Sequence, residues 1–218
     1  MRLAFALALL AAIPAAAQQQ PERIPLFVVD LHAATVGLPQ DEGWVPVGSA
    51  STVYPGRYWG LAGGATVYPV RFRAVAFGVG ASVITGSGTG ETFTTTGSGT
   101  TATKTLSRVV HTGITSLAPQ VSLNFGHKFG WSYLSAGPAT SKVRSRSDAI
   151  GTVPEIIVPE AWNRAITFGG GARWFMKRHL GAGFDARWVK LMSRSPTAVL
   201  PSAKRTQLWN ISAGISIQ

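Results

Sequence analysis

The chain has 218 residues, a formal net charge of +11, 13% charged residues and no cysteine, so disulfides and thiolate metal sites are excluded. The basic balance would suit nucleic acid, but the low density of charge and a mean hydropathy of +0.18 argue against a nucleic-acid partner. With 25 glycines, abundant Ser and Thr and few strong helix-forming stretches, the composition favours one all-β domain.

The N-terminal residues have the pattern of a bacterial secretory signal peptide. An early arginine is followed by an apolar stretch from Leu3 to Ile13 and by a small-residue cleavage site at residues 15–17. The apolar stretch is too short to cross a bilayer, although an uncleaved membrane anchor is the alternative. We therefore predict a signal peptide at 1–17, a short N-terminal segment at 18–23 and a β-barrel domain at 24–218, without a transmembrane helix.

From residue 27 onward, apolar and small or polar residues alternate with period two. A strand sends successive side chains to opposite faces, so the pattern predicts strands with one apolar and one polar face. Eight such segments begin near Phe27, Leu61, Val75, Val121, Trp131, Ile166, Leu180 and Trp209. The fifth, at 131–137, is ambiguous because residues of both parities are bulky.

The connections between these segments alternate in length. Tight turns are predicted at 68–72, 126–130 and 176–180, and long polar loops at 38–58, 85–114, 139–163 and 190–206. The second long loop contains a Gly/Thr low-complexity stretch and is predicted to be mobile. Short turns at one end and long loops at the other are typical of an up-and-down barrel with both termini on the short-turn side.

The polar face carries Gly, Ser, Thr and a few charges, but it lacks the Lys/Glu density of a soluble surface. It suits the lumen of an eight-stranded barrel, which side chains just fill. Unpaired buried charge is costly, so opposite charges must meet there. The predicted lumen charge network is Asp30, His32, Arg173, Asp185 and Arg187.

The apolar face would then meet lipid, and Trp174, Trp188 and Trp209 would lie in interfacial girdles. Closure is required because lipid satisfies no backbone polar group.

Three stretches, "GGGARWFMKRHLGAGFDARW", "FGHKFGWSYLSAG" and "LAGGATVYPVRF", resemble the bacterial outer-membrane protein β-barrel family of the OmpA/OmpX-like type. The resemblance implies a monomeric barrel in the cell envelope of a Gram-negative bacterium. It also implies periplasmic chaperones, the barrel-assembly machinery and outer-membrane lipid as partners. One departure is the ending "ISAGISIQ", which lacks the terminal aromatic residue that such barrels usually present to the assembly machinery.

The sequence offers no clear chemical centre. The four histidines, His32, His111, His127 and His179, fall in different elements without ligand spacing, so no metal site is predicted. The glycine clusters precede no helix and are interpreted as strand glycines rather than phosphate loops. Asp30 and His32 share a face, but no nucleophile accompanies them. We therefore expect no catalytic, cofactor-binding or metal-binding residues.

Basic residues in the long loops are the most informative charges. The last loop carries Lys190, Arg194, Lys204 and Arg205 without an acid, and these form a candidate site for lipopolysaccharide phosphates. The stretch "KVRSRSD" in the third loop is also basic, although nearby acids partly offset it. The alternative is a solvated loop with incidental charge.

The sequence thus predicts an all-β, eight-stranded antiparallel up-and-down transmembrane barrel, porin-like in architecture. We expect a non-enzymatic, structural or surface-interaction role through long extracellular loops. Three alternatives remain open: a lipid A-modifying or other outer-membrane enzyme, a narrow pore, and a soluble periplasmic lipocalin-like ligand-binding barrel. The last would need the apolar faces to point inward.

Overall fold

The computed structural model describes residues 23–46, 52–53, 56–96, 103–149 and 154–218, so the predictions for residues 1–22 lie outside the described residues. The described residues form ten strands: β1 (Phe27–Gly37), β2 (Thr52–Val53), β3 (Arg57–Phe72), β4 (Val75–Thr96), β5 (Thr103–His127), β6 (Gly130–Ser147), β7 (Ile156–Ile157), β8 (Ala161–Phe175), β9 (Leu180–Leu191) and β10 (Thr206–Ile217). In the part of the chain described, no helix is long and apolar enough to cross a membrane.

The eight long strands close into a ring. Each pairs antiparallel with the long strands that precede and follow it in the chain, and β10 pairs with β1 from Val29↔Ile217 to Val36↔Asn210. The two-residue strands β2 and β7 add to β4 and β6 at one end. The fold is therefore an eight-stranded antiparallel up-and-down barrel, and the predicted fold class is confirmed.

The stagger of the strands sets the tilt and width of the barrel. The stagger can be counted by moving from each residue to its partner on the next strand around the ring. Starting at Val36 of β1, the pairs run through β10, β9, β8, β6 and β5 to Gly78 of β4. The next strand, β3, is crossed at Tyr68, whose amide donates to the carbonyl of Leu26, so the circuit ends ten residues before the residue at which it began. Eight strands with this stagger tilt by about 40° and leave a backbone radius of about 8 Å, which side chains can fill.

The alternation places apolar side chains outside and polar ones inside. On β9, for example, Phe184 is exposed, whereas the neighbouring Asp185 is buried. The outward apolar side chains form a continuous band, called here the apolar belt, that covers Val75–Val83 on β4 and Leu117–Phe125 on β5. Nine residues at this tilt rise about 22 Å, close to the ~25 Å apolar band of outer-membrane barrels. A soluble lipocalin-like barrel would have the opposite facing.

The ambiguous fifth segment has a clear orientation in β6. Trp131 and Tyr133 are buried and point into the lumen, while Leu134 is exposed on the belt. The other predicted turns, at 126–130 and 176–180, and the position of both termini at the short-turn end agree with the strand bounds.

The turn predicted at 68–72 is wrong. Strand β3 continues to Phe72, and the turn is formed by Arg73 and Ala74, with Arg73 at a φ of 51°. Pro69 lies instead at a bulge, where the register with β4 shifts between Val67 and Val70. Proline cannot donate to the ladder, so it is tolerated where pairing is interrupted.

The long loops predicted at 85–114 and 139–163 are also shorter than expected. β4 and β5 remain paired up to Thr96↔Thr103, and β6 extends to Ser147. Most of the Gly/Thr stretch predicted to be mobile is therefore strand. The backbone ladder needs no apolar face, and beyond the belt outward side chains such as Thr89 are polar and exposed.

Candidate functional site

The short-turn end of the lumen is closed by an aromatic floor, which comprises Tyr68, Trp131 and Phe175. Trp131 stacks on Phe175 with ring centroids 5.0 Å apart and meets Tyr68 edge-on at 6.1 Å. Ile24, which precedes β1, is buried in the same cluster and ties the N-terminal segment into the floor.

Above the floor lies a charged layer, formed by Asp30, His32, Tyr133, Arg173, Asp185 and Arg187. Arg173 and Asp30 form a two-pronged ion pair: Nε donates to Oδ1 at 3.0 Å and an η nitrogen donates to Oδ2 at 2.6 Å. The guanidinium also lies over the ring of Tyr133 at 4.1 Å. Arg173 is 3% exposed, so these contacts replace its hydration.

The second ion pair joins Arg187 and Asp185 on the same face of β9. Arg187 donates to both carboxylate oxygens at 3.1 and 3.0 Å, and its remaining N–H groups reach Ser82, Gln120 and Ser135 on three other strands. Tyr133 donates its hydroxyl to Asp185 at 2.6 Å. Every charge in this pair is therefore hydrogen bonded, as buried charge requires.

His32 completes the layer between the two ion pairs. Its Nδ1 lies 3.2 Å from the hydroxyl of Ser212, and its Nε2 lies 4.0 Å from Asp30 and makes no hydrogen bond within the described structure. The structure thus brings together all five residues of the predicted lumen network. The sequence did not indicate Tyr133, because both faces of its strand were bulky.

The charged layer links all eight ring strands and leaves little space. Partners come from β1, β3, β4, β5, β6, β8, β9 and β10. The gap among these side chains is about 30 Å³, enough for one or two waters. A closed ring held by hydrogen bonds at one height is a structural arrangement, and it offers no space for a substrate.

Beyond the charged layer the interior becomes apolar again, and this upper plug was not predicted. Inward side chains of the strands, among them Val36, Ile84 and Ile114, pack with Trp44 and Val45 from the first long loop. The indole N–H of Trp44 donates to the carbonyl of Lys204 at 2.7 Å, which joins the first and last loops. The loop before β3 therefore folds into the mouth of the barrel.

The candidate lipopolysaccharide residues separate into two groups. Arg194 is held within the protein: it donates to the carbonyl of Gly43 at 2.9 Å, and its guanidinium lies 5.1 Å from the ring of Trp44. Partial burial lowers the pKa of this guanidinium, against the opposing effect of Asp41. Lys204 and Arg205 are exposed and Lys190 is half-buried. Arg194 therefore stabilises the loop rather than adding an available charge.

Other basic side chains lie on the outer face just beyond the apolar belt. Arg144 and Arg146 on β6 and Arg164 on β8 point outward and are exposed. Lys142 is paired with Glu160 and lies 5.6 Å from the ring of Trp162. Sequence reasoning recognised the basic stretch on β6 as a loop, whereas the structure shows it as an extension of the barrel wall.

A cavity of about 510 Å³, called here the upper cavity, lies at the same end of the barrel. It is lined by the extensions of β4, β5 and β6, by Tyr58 at the start of β3, and by the chain that leads into β8. Its polar groups include Arg144, Arg146 and His111. The volume lies within the range of small-molecule sites.

The imidazole of His111 bonds to Asp148, with 3.0 Å between Nε2 and Oδ2. Such a pair could orient a general base, but no described hydroxyl is hydrogen bonded to the other ring nitrogen, so the geometry shows two parts of a triad rather than three. Within the described residues there is also no group of three or more metal-ligating side chains.

The chain is similar, at low sequence identity, to several solved structures. They include Neisserial surface protein A (12% identity, TM-score 0.46, covering 88% of this chain and 97% of that one). For the outer membrane protein OprG from Pseudomonas aeruginosa the identity is 11% and the TM-score 0.45, covering 91% of this chain and 97% of that one. For Ail, the attachment invasion locus protein of Yersinia pestis, the identity is 10% and the TM-score 0.41, covering 87% of this chain and 97% of that one. No family model and no curated protein matches the chain.

Proposed function

We propose that the protein is a non-enzymatic barrel of the bacterial outer membrane, with a sealed lumen and an extended outer end that makes surface interactions. The single observation that supports this most strongly is the inverted facing of the barrel wall. Large apolar side chains such as Leu31, Trp174 and Phe184 are exposed, whereas Asp30, Arg173 and Asp185 are buried. Water would penalise this arrangement, and lipid favours it.

The height of the wall supports the same placement. The apolar belt matches the apolar thickness of an outer membrane, and the strands that extend past it carry polar outward side chains together with an apolar interior. This reversal is expected where a barrel leaves lipid and enters water. The end with long connections would face the exterior, and the short turns would face the periplasm.

Membrane fractionation with heat-modifiable gel migration tests the proposal. The protein should remain in the outer-membrane fraction and should migrate faster unboiled than boiled, because a closed barrel resists detergent without heat. A protein recovered in the soluble periplasmic fraction, with the same mobility before and after boiling, would contradict it.

A structural role fits the lumen better than a pore does. The aromatic floor, the charged layer and the upper plug succeed one another along the axis, and each places packed side chains in the lumen. In planar bilayers we expect no steady single-channel conductance. Long-lived, uniform openings would favour the pore instead.

Outward basic residues just beyond the belt support contact with lipopolysaccharide phosphates. We include Arg164, Lys190, Lys204 and Arg205 in this set and leave out Arg194, whose donors are used internally. Charge-assisted bonds to phosphate are among the stronger polar contacts. The barrel should be more heat-stable in vesicles with lipopolysaccharide than in phosphatidylcholine alone, and replacing these four residues by Gln should remove most of the difference. An unchanged difference would refute the contact.

Among the described residues, the His111–Asp148 pair favours an enzyme as a second candidate. It lies beside the upper cavity, and Ser and Thr residues line the same cavity. A fluorophosphonate probe of nucleophilic serines distinguishes the two. We expect no labelling that depends on His111, and labelling that His111→Ala abolishes would favour the enzyme.

A further inference from the structure

The three short turns share a pattern that the reversal of the chain does not itself require. At each turn an exposed large apolar side chain stands beside at least one cation: Phe72 with Arg73, Phe129 with Lys128, and Met176 with Lys177 and Arg178. We propose that these turns bind anionic phospholipid headgroups at the periplasmic surface of the outer membrane, most strongly at the turn between β8 and β9. The inference rests on the membrane placement proposed above.

The short-turn end has cations without acidic side chains in the part of the chain that the structure describes. Of the nine acidic residues, Glu22 lies outside the described residues, and Asp30 and Asp185 belong to the charged layer. The other six lie at the opposite end, in or beside the long connections: Asp41, Glu42, Glu91, Asp148, Glu155 and Glu160. A surface that carries one sign of charge attracts ligands of the other sign.

The turn cations are available to an anion. Arg73, Lys177 and Arg178 are exposed, and none of them forms an ion pair within the described structure. The guanidinium of Arg73 lies 5.4 Å from the centre of the Phe72 ring, a contact that does not satisfy its N–H donors. Arg71 is left out of the set because it donates to the carbonyl of Ile24 at 3.3 Å.

The apolar side chains favour a lipid surface over a soluble anion. Met176 is 80% exposed, Phe72 68% and Phe129 58%. Phe72 pairs with Val75, where the apolar belt begins on β4, so this turn continues the belt toward the headgroups. Water penalises such side chains, whereas a membrane interface accepts an apolar side chain beside a cation that reaches the phosphates. Free phosphate or a soluble acidic polymer would leave these side chains in water.

The turn between β8 and β9 holds its two cations on a fixed backbone. The amide of Lys177 donates to the carbonyl of Leu180 at 3.1 Å. The side chain of Gln218, which follows β10, donates to the carbonyl of Arg178 at 2.8 Å, and its backbone amide donates to the carbonyl of His179 at 3.2 Å. Because the backbone is already ordered, less conformational entropy is lost when the side chains bind a headgroup.

The test measures which lipid surrounds this turn, with the full chain folded into phosphatidylcholine vesicles. The chain has no cysteine, so Met176→Cys can carry a single apolar fluorophore. Its emission is quenched by trace phosphatidylglycerol or phosphatidylcholine that bears a nitroxide near the glycerol end of an acyl chain. Phosphatidylglycerol should be enriched at the label at least about fivefold, the factor that one cation near an anionic membrane surface contributes. Both leaflets contain both lipids, so the result does not depend on the direction of insertion.

Charge variants of the labelled protein assign the enrichment to the turn. Lys177→Gln with Arg178→Gln should bring it close to one, whereas Lys177→Arg with Arg178→Lys should retain most of it because both charges remain. Lys204→Gln with Arg205→Gln is the matched control, since it removes the same two residue types from exposed positions at the other end of the barrel. The control should keep the full enrichment, and high salt should reduce the enrichment of the unmodified turn.

Several results would overturn the proposal. They are equal quenching by the two lipids in protein that shows the heat-dependent shift, full enrichment after both turn cations are replaced, or an equal loss in the control. Equal quenching together with binding of soluble polyglutamate that depends on Lys177 and Arg178 would assign the turn to a soluble acidic partner instead. If the heat-dependent shift itself is missing, the barrel assignment fails, and this outcome is separate from a failure of the turns alone.

Discussion

The ion pair between Arg173 and Asp30 allows a quantitative test of the charged layer. Arg173→Met removes the guanidinium, keeps much of the side-chain volume and leaves Asp30 with the hydroxyl of Ser216 at 2.7 Å as its remaining close donor. Because the carboxylate stays buried and loses two charge-assisted bonds, the free energy of unfolding should fall by about 3–5 kcal/mol.

The reciprocal change should cost less. Asp30→Asn leaves the guanidinium against the rings of Tyr133, at 4.1 Å, and Trp131, at 5.9 Å. A desolvated cation–π contact is worth about 2 kcal/mol, so this variant should lose about 2 kcal/mol less than Arg173→Met. The double variant should lose less than the two single losses together, because it removes both charges.

Urea unfolding in phospholipid vesicles, followed by tryptophan fluorescence and by cold gel migration, measures all three variants. The reasoning is refuted if Arg173→Met lies within about 0.5 kcal/mol of the wild type, the usual range for surface changes. It is also refuted if the single losses simply add in the double variant, because contacting residues normally couple.

Three further predictions follow. Gly183→Val should destabilise the barrel by about 1–3 kcal/mol through overpacking, because a Cβ at this position would lie 2.6 Å from Nε2 of His32. Gly63→Val on the belt is the control and should be tolerated, because the nearest atom to its Cβ lies at 3.3 Å. Equal losses of the two variants in urea unfolding would contradict this. Phe184→Arg, in the middle of the belt, should lower the free energy of unfolding by about 2–4 kcal/mol, and Gln207→Arg, at the outer edge of the belt, by about 0–1 kcal/mol. A larger loss for Gln207→Arg than for Phe184→Arg would show that the position assigned to the belt is wrong. Trp131→Ala should lower stability by about 3–5 kcal/mol because it removes the stacked centre of the floor, and a near-neutral result would show that the floor does not support the fold.

The facing of the strands could be predicted because the proposed lipid-facing wall requires an apolar side chain at every second residue. Phe184 is apolar and Asp185 is charged, and they occupy adjacent positions of β9. Only the orientation with Phe184 outward and Asp185 inward keeps the charge out of lipid. The same reasoning failed on β6, where Trp131 and Tyr133 are as large as their outward neighbours. Their inward orientation depends on non-local contacts: Phe175 for the first, and Arg173 and Asp185 for the second.

The extensions of the strands could not be predicted for a related reason. Beyond the belt there is no lipid face, so the alternation that identifies a strand fades while the backbone ladder continues, as between Thr89 and His111. The upper plug and the role of Arg194 depend on the first loop folding back toward the last, through Trp44. A contact between residues 151 positions apart leaves no local signal in the sequence.

The most direct test of the central claim, that the wall faces lipid and the lumen is polar, is a spin-label scan along β9. The chain has no cysteine, so single cysteines can be placed from residue 180 to residue 188 without background labelling. In lipid vesicles, labels at even positions should show high accessibility to dissolved oxygen, as expected in hydrocarbon, and labels at odd positions should show low accessibility. An inverted phase, or no alternation, would contradict the account.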